Sequence, residues 1–214
     1  MIELLHMDCM EYMKGCDDNS FDLAIVDPPY GIGDFRHTTS KKHHKKIDWN
    51  TQIPTAEYFV QLERVSKNRI IFGCNYYGKF INDVGRIVHD KTGGGKKPQL
   101  MEFSDCDIAS HSFGVNMKIF HYIWQGNVSG KGIDWKNQNR WHPCQKPIQL
   151  YEWILTKYAK ITDKILDTHL GSGTSAIAAH YFGCDFVGME IDKDYYDAAV
   201  NRFDAETSQL DLLA

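Results

Sequence analysis

The chain has 214 residues, 43% of them hydrophobic and 24% charged, and a formal net charge of −4. That length builds one domain with a sizeable core, 1–214, and the composition excludes a disordered or membrane-embedded chain. No apolar run approaches the ~18 residues of a membrane span. Met1–His6 lacks a basic region followed by a long apolar stretch, so no signal peptide is expected and a cytoplasmic location is the default expectation.

Six scattered cysteines form no Cys-x-x-Cys pair and read as reduced and structural, and the ten dispersed histidines make no metal site expected. The net charge argues weakly against a nucleic-acid partner, and its distribution argues for one. Arg36, Lys41, Lys42, Lys45 and Lys46 fall within eleven residues, while the acidic excess lies near the far end.

In chain order, Ile2 to Met7 reads as a strand and Met10 to Lys14 as a short helix. Leu23 to Val26 is an apolar run of the kind buried on both faces inside a parallel sheet, and it ends in Asp27-Pro28-Pro29-Tyr30. Each proline fixes its own φ, and Pro28 lacks an N–H for any ladder. Pro28 also pushes Asp27, and Pro29 pushes Pro28, towards extended backbone. The result is a stiff corner at the carboxyl edge of the sheet, where open α/β folds bind ligands, carrying one carboxylate and one aromatic face. Residues 31–50 then form a polar, basic loop, long for a compact domain.

A helix is expected after Pro54, with Phe59, Leu62 and Val65 on one face, then a strand over Arg69 to Cys74 and a helix over Tyr76 to Val84. Strands follow at Arg86 to Asp90, Asp107 to Phe113 and Lys118 to Gln125, before a second polar loop at 126–141 that includes Trp135 and Trp141. Trp141 is expected in the core; Trp135 reads equally as core or as a nucleic-acid contact. Pro147 suits the first turn of the next helix. After it come a strand at Lys164 to Asp167, a helix at Thr174 to Phe182, a strand at Phe186 to Glu190 and a last helix from about Tyr195. Strands alternating with helices predict an α/β fold: a Rossmann-like, mainly parallel twisted sheet with helices on both faces.

Asp167-Thr168-His169-Leu170-Gly171-Ser172-Gly173-Thr174 joins a strand to a helix, and its glycines permit a tight turn and close approach of a ligand to a helix N-terminus. Glu190 ends the next strand, where a carboxylate can accept both ribose hydroxyl protons. The pattern also fits a loose dinucleotide fingerprint. A hydride-transfer enzyme, however, gives no reason for the Pro-Pro corner.

These segments resemble the β-class DNA amino-methyltransferases that use S-adenosylmethionine, over nearly the whole chain. Asp27-Pro28-Pro29-Tyr30 matches their catalytic motif, and His142-Pro143-Cys144-Gln145-Lys146-Pro147 is similar to the segment leading into the cofactor loop. Asp167 to Thr174 matches that loop, with His169 where the family usually has phenylalanine; Glu190 matches the ribose ligand, and Asp8 the carboxylate near the adenine. The resemblance implies a circularly permuted motif order, with the catalytic segment before the cofactor loop. It implies Asp27, Pro28, Pro29 and Tyr30 as catalytic. It implies Asp8, Cys9, Asp27, Lys146, Asp167, His169, Gly171, Ser172, Gly173, Thr174 and Glu190 as cofactor-binding.

The implied reaction is methyl transfer to adenine N6 in DNA at a specific sequence, since cytosine enzymes more often carry serine at the first motif position. Cytosine-N4 or RNA amino-methylation and a non-catalytic nucleic-acid-binding module stand as alternatives. In this reading the Asp27 carboxylate and the Pro28 carbonyl are acceptors without competing partners, and Tyr30 stacks on a base flipped from the duplex. Arg36 and the four lysines would meet phosphates, with 31–50 and 126–141 as the DNA-contacting loops. DNA and S-adenosylmethionine are the expected partners, and a homodimer and a restriction endonuclease partner are left open.

Overall fold

A computed structural model describes residues 1–33, 49–95, 104–125, 128–129, 142 and 144–208. Along the chain lie β1 (Ile2–His6), α1 (Cys9–Lys14), β2 (Phe21–Val26), a 3₁₀ turn (Trp49–Thr51), α2 (Ala56–Val65) and β3 (Ser66–Phe72). They are followed by β4 (Gly85–Asp90), β5 (Cys106–His111), β6 (Met117–His121), β7 (Trp124–Gln125) and β8 (Val128–Ser129). The last elements are α3 (Ile148–Tyr158), β9 (Lys164–Asp167), α4 (Thr174–Phe182), β10 (Asp185–Glu190) and α5 (Lys193–Thr207).

Eight strands form one sheet in the order β1-β10-β9-β2-β3-β5-β4-β6, and β7 and β8 pair as a separate two-stranded sheet. Within the eight-stranded sheet β5 runs antiparallel to its neighbours, β3 and β4. The rest of that sheet is parallel, as expected for a doubly wound fold.

Alternation along β2 explains the layers. Leu23 and Ile25 point into a core completed by Leu150, Ile154 and Leu155 of α3 and Ala176 and Ala179 of α4. Ala24 and Val26 point the other way, against Met13 of α1 and Phe59, Leu62 and Val65 of α2. Helices thus cover both faces, which is why β2 reads as continuously apolar. Among the described residues no helix is long and apolar enough to cross a membrane.

The chain leaves β2 through α2 to reach β3 on one side, and leaves β9 through α4 to reach β10 on the other. Because β2 and β9 are neighbours, their carboxyl ends flank a topological switch point, where open α/β sheets bind ligands.

Three sequence expectations change. Tyr76 to Val84 is a series of turns, not a helix. The aromatic pair Tyr76-Tyr77 is drawn onto the Pro-Pro corner, and that tertiary packing outweighs helical periodicity. The stretch Lys118 to Gln125 splits between β6 and β7. Pro147 is the N-cap of α3 rather than a residue of its first turn.

Candidate active site

Asp27 follows the last residue of β2 and faces a cavity at the switch point. One carboxylate oxygen accepts from the Tyr30 hydroxyl at 2.5 Å. The other is paired with Lys146 Nζ, which lies 4.7 Å from the Phe72 ring centroid and is only 6% exposed. The Pro28 carbonyl accepts from the Tyr77 hydroxyl at 2.5 Å, and the same hydroxyl reaches Pro29 O at 2.8 Å. The expectation of two acceptors without partners is therefore corrected, because neighbouring donors already meet both. A carboxylate offers about four lone-pair sites and a carbonyl two, so each group can still accept a further hydrogen bond.

The corner is anchored by a residue that periodicity does not mark. Asn50, 2% exposed, accepts through Oδ1 from the backbone N–H groups of Tyr30 (2.8 Å) and Gly31 (3.2 Å), and donates to Gly33 O at 3.0 Å. These bonds satisfy backbone groups that Pro-Pro denies a ladder. Tyr30 stacks on Tyr76 with centroids 4.8 Å apart and 14° between planes, while Tyr76 itself is 41% exposed. Burial, and then the charge of Asp27, push the Tyr30 phenol well up, so it remains a donor to that carboxylate. Burial pulls the Lys146 ammonium down, but the carboxylates of Asp27 and Asp107 outweigh it and hold it above the usual lysine value.

The glycine loop faces this corner from the end of β9. Gly171 and Gly173 have φ of 53° and 73°, the left-handed region that favours glycine, and a Cβ on Gly173 would sit 3.2 Å from Ala199 O. Both Glu190 oxygens accept backbone bonds, from Gly171 N–H at 2.9 Å and Asp192 N–H at 3.0 Å. Burial pushes its carboxyl up.

Asp167 accepts from Ser175 Oγ at 2.5 Å and His169 N–H at 3.0 Å, and burial pushes its carboxyl up to about 7. His169 lies edge-on to Tyr58, with Nδ1 2.9 Å from Thr168 Oγ1, and burial pulls its imidazole down to about 4. Arg202, buried in α5, braces the loop by donating to Ser172 O and Thr174 Oγ1, both at 2.9 Å.

Between the two segments lie adjoining cavities of about 220 and 270 Å³. The first is lined by Asp27, Pro28, Tyr30, Lys146, Ser172 and Thr174, the second by Asp8, Cys9, Gln52, Ile53 and Thr168; Pro29, His169, Glu190 and Ile191 line both. Asp8 also caps α1, accepting from Met10 N–H at 2.6 Å, and burial pushes the Cys9 thiol up to about 12.

The structure thus brings together Asp8, Cys9, Asp27, Pro28, Pro29, Tyr30, Lys146, His169, Gly171, Ser172, Thr174 and Glu190. Asp167 and Gly173 lie behind the cavity wall, holding the loop. Arg36, Lys41, Lys42, Lys45 and Lys46, with Trp135 and Trp141, lie outside the described residues.

Sequence reasoning missed Asn50, Gly73, Tyr76, Tyr77, Asp107 and Arg202. A cue existed for the tyrosines: an aromatic pair shortly after the glycine that closes a buried strand.

A DNA methylase family model of the N6/N4 type matches residues 111–201. The chain is 37% identical over 249 aligned positions to the type II methyltransferase M2.DpnII of Streptococcus pneumoniae, covering 95% of this chain and 90% of that protein. To the type II methyltransferase M.ScaI of Streptomyces caespitosus it is 41% identical over 258 positions, covering 97% and 83%. Among solved structures, the M1.HpyAVI–SAM complex aligns with a TM-score of 0.57 at 20% identity, covering 94% of this chain and 100% of that one. The cytosine-N4-specific PvuII DNA methyltransferase aligns with a TM-score of 0.60 at 10% identity, covering 97% and 90%. At those identities the two structures speak for the fold. The two relatives, at 37% and 41% identity over nearly all of this chain and over 90% and 83% of their own, speak for more: the chain belongs to the N6/N4 family of S-adenosylmethionine-dependent DNA methyltransferases.

Proposed function

We propose that the protein methylates the exocyclic N6 amine of adenine in DNA, at a specific sequence, with S-adenosylmethionine as the donor and the target base turned out of the duplex. The observation that carries this reading is the single cavity on which Asp27, Pro28 and Glu190 converge, although the first two follow β2 and the third ends β10.

The residues present fit the cofactor. Glu190 stands where the two cavities adjoin and keeps lone pairs for ribose hydroxyls, and Gly171 lines the cleft without a side chain that would fill it. Asp8 and Cys9 would hold the adenine end, and Ser172, Thr174 and the loop backbone the amino-acid end. When bound, the cofactor supplies an electrophilic methyl group on a sulfonium.

The protein's part is positioning. A base amine is a poor nucleophile because its lone pair is delocalised into the ring. Asp27 and Pro28 O, accepting its two N–H protons, favour a pyramidal nitrogen with its lone pair directed at the methyl group. Tyr30 and Lys146 fix the carboxylate, and Tyr77 fixes the carbonyl, so little reorganisation accompanies the reaction. Tyr30, with Tyr76 stacked beneath it, offers the aromatic surface for the flipped base. Asp27 at the first motif position favours adenine. The reading places the protein in the cytoplasm, and the basic run at 36–46 supplies the phosphate contacts.

Purified protein, S-adenosylmethionine and unmethylated genomic DNA test it, with nucleosides resolved by mass spectrometry and sites by methylome sequencing. N6-methyladenine at one recurrent sequence is expected. N4-methylcytosine, or methylation of RNA alone, overturns the assignment.

A further inference from the structure

Lys146 does not meet Asp27 alone. It lies over the ring of Phe72, the last residue of β3, and Phe72 is paired with Ala109 of β5. Two residues before Ala109, and so on the same face of the sheet, comes Asp107. The Gly73 N–H donates to Ile108 O at 2.9 Å, which carries β5 alongside the turn beneath the Pro-Pro corner. Asp107 in turn is held from outside: Lys91 Nζ lies 3.0 Å from one of its oxygens, and His89 Nδ1, directly opposite on β4, lies 3.4 Å from the other.

Charges of alternating sign therefore succeed one another from the end of β4 to the catalytic segment: Lys91 pairs with Asp107 and Lys146 with Asp27, and Asp107 acts on Lys146 through space. A buried ammonium is costly unless it is compensated, and a single carboxylate that must also receive substrate is a poor sole partner. We propose that Asp107 is a positioning residue for Asp27: it supplies the second counter-charge that keeps Lys146 seated against the catalytic carboxylate. This rests on the reading of Asp27 as acceptor of the target amine. It gives Lys146 a different task from cofactor contact, and it gives a role to a strand outside every motif.

Among the described residues, the other titratable groups facing this line include Tyr30, Tyr77, Cys144 and Tyr151, with Cys106 beside Asp107 and Tyr58 and Asp167 near Asp27. Burial pushes the four phenols and the two thiols up, so none of these carries charge near neutral pH. Asp107 is also subject to burial, but His89, Lys146 and Lys91 outweigh it and hold its carboxyl well below the usual range. It is therefore ionised wherever the enzyme would work.

The test uses the cofactor-free protein labelled with ¹³C at lysine Cε, whose resonances are followed against pH. In the wild type Lys146 is expected to titrate above the exposed lysines; titration together with them overturns the proposal without any variant. In Asp107→Asn the Lys146 titration is expected to move down and in Asp107→Glu to return. An unmoved titration in a folded Asp107→Asn protein also overturns it.

In turnover assays Asp107→Asn is expected to lower kcat about tenfold by loosening the Asp27 geometry, with cofactor affinity unchanged. A loss confined to cofactor affinity would return Lys146 to the cofactor and sink the idea. Absence of methyl transfer by the wild type would defeat the functional reading instead, while the titrations still decide the role of Asp107.

Discussion

The ring of Tyr30 lies against the backbone of Gly73 so closely that a Cβ there would sit 2.2 Å from Cε1. Gly73 also has a φ of 71°, so two independent constraints require glycine. Gly73→Ala is expected to destabilise the protein by roughly 1–3 kcal/mol through overpacking. It should also displace Tyr30 from Asp27 and lower turnover. Thermal melts and methyl-transfer rates check both. A variant with wild-type turnover would show that the Tyr30 position is not needed for the reaction.

Glu190→Gln keeps size but replaces a charged acceptor where the two cavities adjoin. Loss of one charge-assisted hydrogen bond to a ribose hydroxyl should weaken S-adenosylmethionine binding about tenfold to a hundredfold. Calorimetry measures it. Binding of NAD in place of S-adenosylmethionine would contradict the cofactor assignment.

The Asp167 carboxyl is pushed up by burial to about 7 in the folded chain, against roughly 3.9 when unfolded. Between those values the folded state holds more protons than the unfolded one, so this group's contribution to stability falls as pH rises from about 4 to about 7. Asp167→Asn removes that loss. The melting temperature of the variant relative to wild type should rise across this window and then level off. A difference that stays flat from pH 4 to 8 would mean that Asp167 is ionised throughout.

Neutralising Lys41, Lys42, Lys45 and Lys46 should weaken DNA binding more than it alters the methylated sequence. If all four meet phosphates of duplex DNA, the slope of log affinity against log salt shrinks by about 0.9 for each phosphate no longer neutralised. An unchanged slope assigns the run to solvent. A changed methylation site promotes it from anchor to reader.

How much of this was legible depends on whether the cause is local. Lys164–Asp167 and Thr174–Phe182 were readable to the residue, because an apolar run, a glycine turn and Gly183 delimit them. The turns at Tyr76 and Tyr77 were not, because the partners that shape them lie almost 50 positions earlier in the Pro-Pro corner. The pairing of Asp27 with Lys146 spans 119 positions, and no periodicity encodes it. Asp107 looked like any acid in a strand until the fold set it beside Phe72 and Lys91. Asn50 was hidden in a polar stretch, although it fastens the backbone of that corner.

Arg202 gives α5 a duty beyond covering the sheet. Its guanidinium grips the glycine loop from a helix that begins only after the last motif has been passed, at Lys193. A fragment ending at Glu190 would carry every signature of the family and yet leave the loop without its brace and Gly173 without Ala199 packed against it. The last helix is thus a keystone set from outside the arch, and truncations that remove Ala199 and Arg202 are expected to weaken cofactor capture although every residue assigned to hold the cofactor stays in the chain.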